Sequence, residues 1–131
     1  MKIKTLMIVN TVIALIFGIA FVIIPEFVYS LFGIEVNSSL KLMGQFFGGA
    51  LITVGLLTWS ARNASFSKMI KAVALALFIG DVVGFIVALI GQINKVVNGL
   101  GWLTVLIYLV LAVWFAVFAF SKVKEPEKAA D

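Results

Sequence analysis

Asp81 is the residue of this sequence with the clearest potential for chemistry. It lies inside the apolar run ALFIGDVVGFIVAL, residues 76–89. An acid at the centre of a membrane helix costs about 2.5–3.5 kcal/mol on insertion scales, so such a residue marks a candidate functional site. By helical spacing Asp81 shares a face with Gly84 and Ala88, which predicts that it points toward neighbouring helices.

Three other polar side chains are candidates to contact Asp81. The rise along each helix places Tyr108 closest in depth, so its phenol is the first candidate. Gln45 lies nearer the outer surface and is the second, and Asn10 lies nearer the cytoplasmic side. No Lys or Arg lies at membrane depth, so burial is expected to disfavour the charged carboxylate.

The sequence leaves three interpretations of Asp81 open. In the first, a protonated carboxyl group donates a hydrogen bond to a helix carbonyl, Tyr108, Gln45 or Asn10 and holds the helices together. In the second, it titrates or binds a cation within a polar cavity. In the third, it pairs with a basic group of a partner protein.

The residue types absent from the chain exclude much of enzyme chemistry. There is no cysteine and no histidine, which removes disulfides, thiolate and imidazole catalysis and histidine-ligated haem. One carboxylate with neither a base partner nor a metal-ligand cluster is too small a set of groups for an active site. We therefore predict no catalytic residue, no metal site, no cofactor and no enzyme activity.

The elements that position these side chains are long apolar helices. Of the 131 residues, 63% are hydrophobic and 12% are charged, a membrane composition. A helix needs roughly 20 apolar residues to cross a hydrocarbon core of about 30 Å. Four runs reach that length: 5–24, 40–61, 69–90 and 102–120. We predict an all-α integral membrane four-helix bundle, with residues 1–121 as a single transmembrane domain and 122–131 as a charged cytoplasmic tail.

The distribution of basic residues predicts the orientation. Lysine and arginine cluster in the segments that share one side when both termini are cytoplasmic, and only Lys41 and Lys95 fall on the other side. This positive-inside pattern predicts a multi-pass protein with both termini in the cytoplasm. The net charge of +4 then follows from topology, and nucleic acid is not an expected partner.

A hydrophobic segment separates the first two spans. Pro25 suits the first position of a helix and Gly33 its C-terminal cap, which predicts a short helix in the outer interface with Tyr29 at headgroup level. A hydrophobic loop folded over the bundle is the alternative. Asn37 to Ser39 can cap the second span, and Ser65 or Ser67 the third.

Small residues predict where the helices pack. The second span carries the GxxxG pair Gly44 and Gly48, and the third carries a small residue at every fourth position, including Gly80 and Gly84. Such stripes let membrane helices approach closely, so we expect the third span to be the most central. A spare stripe could also support a homodimer or contact with another membrane protein.

The segment from Phe32-Gly33 through GQFFGGALITVGLLTWSARN, residues 44–63, resembles small prokaryotic four-helix membrane proteins of the DoxX-like kind. The resemblance implies the same architecture, in a prokaryotic cytoplasmic membrane, beside redox or lipid-pathway enzymes. Where that family often has an arginine near the start of the second helix, this chain has Gln45, and the resemblance transfers no catalytic residue.

Two functions follow from these observations. The small polar inventory favours a non-catalytic membrane protein that binds a membrane partner or a lipophilic ligand between its helices. The alternative is a small proton- or cation-coupled transporter or channel that uses Asp81.

Overall fold

A computed structural model describes residues 2–124 of the chain as five α-helices and no strand. Met1 and residues 125–131, the larger part of the predicted tail, lie outside the described residues. The predicted all-helical fold is confirmed. The helices are α1 (Ile3–Ile23), α2 (Pro25–Leu31), α3 (Ser38–Ala61), α4 (Lys68–Ile93) and α5 (Gly101–Ala119).

Four of these helices, α1, α3, α4 and α5, are long and apolar enough to cross a membrane. The protein is therefore a multi-pass membrane protein. Two predicted helix caps are confirmed: the Asn37 side chain accepts a hydrogen bond from Leu40 N at 2.8 Å, and the Ser67 hydroxyl accepts one from Ile70 N at 3.4 Å. Each cap satisfies a backbone donor that the first turn of a helix leaves free.

The membrane-length helices pair as two hairpins. α1 packs along α3, and these two helices together with α2 form the first hairpin. α4 packs along α5, and these two helices form the second hairpin. α1 and α4 begin, and α3 and α5 end, at one end of the molecule. We call it the basic end because it carries most of the described cations: Lys2, Lys4, Arg62, Lys68, Lys71, Lys122 and Lys124. The opposite end is the α2 end.

The two hairpins meet in an apolar core near the basic end. This basic-end core joins Leu6 and Met7 of α1 to Ile70 and Ala74 of α4 and to two residues of α5, Leu111 and Phe115. Leu6, Met7, Ala74 and Phe115 have no exposed surface. α3 and α4 do not pack along each other. We infer that the hairpins diverge away from this core.

Glycines set the close approach inside the first hairpin. A β-carbon on Gly48 would lie 2.6 Å from the backbone oxygen of Gly18, and one on Gly18 would lie 2.9 Å from the oxygen of Gly48. One turn before Gly48, the site of a β-carbon on Gly44 is occupied by the Tyr29 ring, and Leu15 packs on Gly55 in the same way. Both glycines of the GxxxG pair therefore lie at contacts that a side chain would obstruct.

Two buried hydroxyls join α1 to α3, a contact that the sequence analysis did not anticipate. The oxygens of Thr11 and Thr58 lie 2.8 Å apart, and Thr58 has no exposed surface. Each hydroxyl also lies within hydrogen-bonding distance of a carbonyl of its own helix, Met7 O for Thr11 and Val54 O for Thr58. Interhelical hydroxyl bonds of this kind stabilise membrane helix pairs modestly.

Replacement of Thr58 by valine should lower the free energy of unfolding by about 0.5–1.5 kcal/mol, because the Thr11–Thr58 bond is lost while the side-chain volume is kept. The measurement is denaturant unfolding in detergent micelles, followed by helical circular dichroism. Thr58→Ser, which keeps the hydroxyl, serves as the control for the hydrogen bond. If Thr58→Val lowers the free energy of unfolding as much in a Thr11→Val background as in the wild type, the Thr11–Thr58 hydrogen bond contributes nothing to stability.

α2 is a helix, as predicted, and not an irregular loop. Pro25 occupies its first turn, and Gly33 ends it with a φ of 73°. Gly33 N donates to Ser30 O at 3.0 Å and Ile34 N donates to Tyr29 O at 3.1 Å, which is the Schellman pattern. The positive φ explains why glycine follows this helix.

Tyr29 packs against both long helices of the first hairpin. Its ring packs on Gly44 and makes an edge contact with Phe21, with centroids 5.4 Å apart. Its hydroxyl donates to Leu40 O at 3.1 Å. Partial burial raises the pKa of Tyr29, which keeps the phenol protonated as a donor. The tyrosine fixes α2 onto α3 because Gly44 leaves room for the ring.

Candidate functional site

A cavity of about 880 Å³ lies between the two hairpins. Both hairpins line it, with Phe17 and Phe21 from α1, Leu51 from α3 and Leu77 from α4 among its walls. Four large apolar side chains of its lining are also exposed on the outside of the protein: Phe47, Leu57 and Val87 on the helices and Val96 in the α4–α5 loop. The exposed residues on the helices open the cavity sideways, toward the region that lipid chains occupy around a membrane protein.

The two hairpins contact each other at both ends of the molecule. At the basic end, they meet in the basic-end core. At the α2 end, Asn98 of the α4–α5 loop binds the end of α2: its side-chain nitrogen donates to Leu31 O at 2.9 Å, and its backbone nitrogen donates to Phe32 O at 3.0 Å. By itself, the dipeptide Asn98-Gly99 predicts only a turn. A local signal could not show that the turn also joins the two hairpins.

The small residues of α4 form a wall of this cavity. Ala72, Ala76 and Gly80 line it and are exposed, and a β-carbon on Gly80 would meet no atom within 4 Å. The predictions that Gly80 packs against a helix and that this helix is the most central are therefore wrong. Only Ile70 and Ala74 of α4 are buried. Because the hairpins diverge, most of the stripe faces space.

Gly84 is the member of the stripe that another helix does approach. The Tyr108 ring of α5 lies against it so closely that a β-carbon would overlap the ring. This contact sets the position of Tyr108 at the cavity wall. The glycine thus determines where a polar side chain of α5 enters the site.

Asp81 and Tyr108 line the same cavity, as the depth estimate suggested. No hydrogen bond joins the Tyr108 phenol to the Asp81 carboxyl group. Asp81 Oδ2 is buried and has no hydrogen-bond partner among the described residues. The carboxyl group therefore reaches the cavity with an unsatisfied acceptor, and the intramolecular bond predicted with Tyr108 is not formed.

Asn10 is the second unsatisfied polar group of the cavity. Its side chain is 5% exposed and lines the cavity wall on α1. Its Nδ2 has no hydrogen-bond partner among the described residues. Asn10 lies about one turn beyond Leu6 and Met7, so the amide is close to the basic-end core. A buried donor without a partner costs about 1–3 kcal/mol, which makes the site a candidate for a polar group supplied from outside the chain.

Gln45 lies outside this site, so its predicted pairing with Asp81 is wrong. Its side-chain nitrogen donates to Val22 O at 3.1 Å across the α1–α3 contact, and Gln45 does not line the cavity. The depth of Gln45 along α3 was compatible with a second polar partner. Its direction around the helix turns the amide toward α1, which spacing alone could not reveal.

The chain belongs to the family described as Domain of unknown function (DUF8292), whose model matches residues 1–122. A comparison with curated proteins gives no match, and neither does a comparison with solved structures.

Proposed function

Since the family description assigns no activity, we propose a function from the cavity itself: the protein is a non-catalytic membrane protein that binds a lipophilic ligand between its two hairpins. The observation that carries the proposal is the cavity of about 880 Å³, lined almost wholly by apolar side chains and open to the side. Ligand pockets in proteins span about 300–1,000 Å³ and combine apolar walls with a few polar groups.

The side opening indicates how the ligand enters. Phe47, Leu57 and Val87 line the cavity and also lie on the outer surface. A hydrocarbon ligand dissolved in the bilayer could therefore enter between the hairpins without crossing water.

The proposal includes a membrane and an orientation. The basic end is placed in the cytoplasm of a prokaryotic cell, with α2 in the outer interface and both termini inside, because basic residues favour the cytoplasmic side. The bilayer is the principal partner, and a homodimer or another membrane protein remains a proposed one. The DoxX-like resemblance stays a prediction.

Photolabelling tests the binding site. The protein is reconstituted in phosphatidylcholine vesicles with a trace of hexadecane that carries a diazirine, and labelled residues are mapped by mass spectrometry. Wild-type protein should be labelled at inward-facing residues such as Phe17, Leu51 and Leu77, as well as on its lipid-facing surface.

Gly80→Leu should lower the cavity labelling at least about fivefold, because the leucine fills space that no other atom occupies. Gly49→Leu is the matched control: its β-carbon also meets nothing within 4 Å, but Gly49 does not line the cavity. Labelling of the lipid-facing surface should be the same in all three proteins. Label confined to that surface in the wild type would contradict the proposal.

The alternative function, proton- or cation-coupled transport, is favoured by one observation, the unsatisfied Asp81 carboxyl group in the cavity. The basic-end core argues against it, because Leu6, Met7 and Phe115 are apolar, have no exposed surface and offer an ion no polar group. Ion flux into proteoliposomes that is lost in Asp81→Asn would support transport over simple binding.

A further inference from the structure

We propose that the cavity selects an uncharged lipid with a hydroxyl-bearing head and a single long hydrocarbon chain, and that Asn10 and Asp81 bind the head inside the cavity. This inference rests on the proposed function and adds the ligand class. It follows from the charges, the unsatisfied hydrogen-bonding groups and their positions in the cavity.

The charges of the lining exclude an anionic head. Among the described residues, no Lys or Arg lines the cavity, and Asp81 is the only acidic one that does. A phosphate or a carboxylate brought inside would be an unpaired charge in an apolar site that already contains a carboxyl group. The desolvation of such a charge costs several kcal/mol. Anionic lipids can therefore surround the protein, but their heads do not belong in the cavity.

The two unsatisfied groups require opposite hydrogen-bonding partners. Asn10 Nδ2 is a donor and needs an acceptor, whereas Asp81 Oδ2, when ionised, needs a donor. A hydroxyl group can act as either partner, and it also suits a protonated Asp81 because its oxygen can accept a hydrogen bond from the acid O–H. A quaternary ammonium head offers neither a donor nor an acceptor, so it leaves Asn10 unsatisfied.

The position of Asn10 places the head inside the cavity. The amide is buried, about one turn from Leu6 and Met7 of the basic-end core. A lipid that inserted only its chain and kept its head at the bilayer surface would bring hydrocarbon to Asn10 and leave the donor unpaired. A head that enters first, with the chain running toward the opening, satisfies the amide and covers the apolar walls.

Competition against the diazirine–hexadecane label tests the inference on the reconstituted protein. Four competitors share a 16-carbon chain and differ in the head: 1-palmitoylglycerol, palmitate, hexadecyltrimethylammonium and plain hexadecane. The readout is the mole fraction in the bilayer that halves labelling of the cavity residues. We expect 1-palmitoylglycerol to compete about tenfold better than hexadecane, the effect of one or two net hydrogen bonds, and better than both charged compounds.

Asn10→Leu keeps the side-chain size and removes the amide. It should weaken competition by 1-palmitoylglycerol about three- to tenfold and leave that by hexadecane unchanged. Gln45→Leu is the matched control, since it removes an amide that lies outside the cavity, and it should leave the ratio of the two competitors as in the wild type.

The outcomes separate the inference from the proposed function. If hexadecane, palmitate or the ammonium compound competes as well as 1-palmitoylglycerol in the wild type, the selectivity is wrong while the cavity still binds chains. If no compound reduces cavity labelling and Gly80→Leu also leaves it unchanged, the cavity binds no chain and both proposals fail. The wild-type comparison does not depend on the folding of any variant.

Discussion

Gly48→Ala should lower the free energy of unfolding by about 1–3 kcal/mol, the usual cost of forcing an extra methyl group into a packed contact. The added β-carbon would lie 2.6 Å from the backbone oxygen of Gly18 and 2.9 Å from Cβ of Phe21. Neither atom is the end of a flexible side chain. The clash can be relieved only if α1 and α3 separate, which weakens the contacts along the whole first hairpin.

Gly49→Ala provides the control for this prediction. The two glycines are adjacent in α3, so both substitutions bring the same gain in helix propensity. A β-carbon on Gly49 meets nothing within 4 Å, so this variant should be neutral or slightly stabilised. Unfolding of both proteins in mixed micelles, titrated with sodium dodecyl sulfate and followed by circular dichroism, gives the comparison. Equal unfolding midpoints for Gly48→Ala and Gly49→Ala would show that α1 and α3 do not approach closely at Gly48.

Gly84→Ala should destabilise the second hairpin by a similar amount, about 1–3 kcal/mol. A β-carbon at this position overlaps the Tyr108 ring, and the ring must rotate away or α5 must shift. Either movement changes the wall of the cavity, because Tyr108 lines it. The variant should therefore lose stability and also bind the hexadecane label differently from the wild type.

A double-mutant cycle isolates this contact. In a Tyr108→Ala background the ring is gone, so Gly84→Ala should cost much less than it does in the wild type. Gly80→Ala, one turn earlier on the same helix, adds a methyl group in open space and should be tolerated. Strictly additive effects of Gly84→Ala and Tyr108→Ala would mean that the two residues do not touch.

These glycines explain why one molecule contains both tight contacts and a large cavity. Gly18 and Gly48 bring α1 against α3, and Gly84 brings α4 against the Tyr108 ring of α5. Between the hairpins, the basic-end core and the Asn98 bonds at the α2 end provide contacts. Each hairpin is thus held internally, and the space between them is left for a ligand.

Much of the candidate site was accessible from the sequence, because depth along a helix follows from counting residues. The count placed Tyr108 near Asp81, and both line the cavity with Asn10. The same count also suggested Gln45, whose amide instead binds Val22 O on α1. The count gives depth but not the direction of a side chain around a helix whose neighbours are unknown.

The sequence by itself determined the helices of this protein, their caps and its membrane character. These features depend on local signals: apolar runs of sufficient length form the spans, and helices begin or end at Pro25, Gly33, Asn37 and Ser67. Their effects can therefore be predicted from neighbouring residues. Only the tertiary structure decided whether a small-residue stripe meets a helix or faces a cavity. Gly80 and Gly84 belong to the same stripe of α4, yet one faces open space and the other holds a tyrosine ring. That difference arises because the hairpins diverge between the contacts at their two ends, and these contacts join residues far apart in the chain.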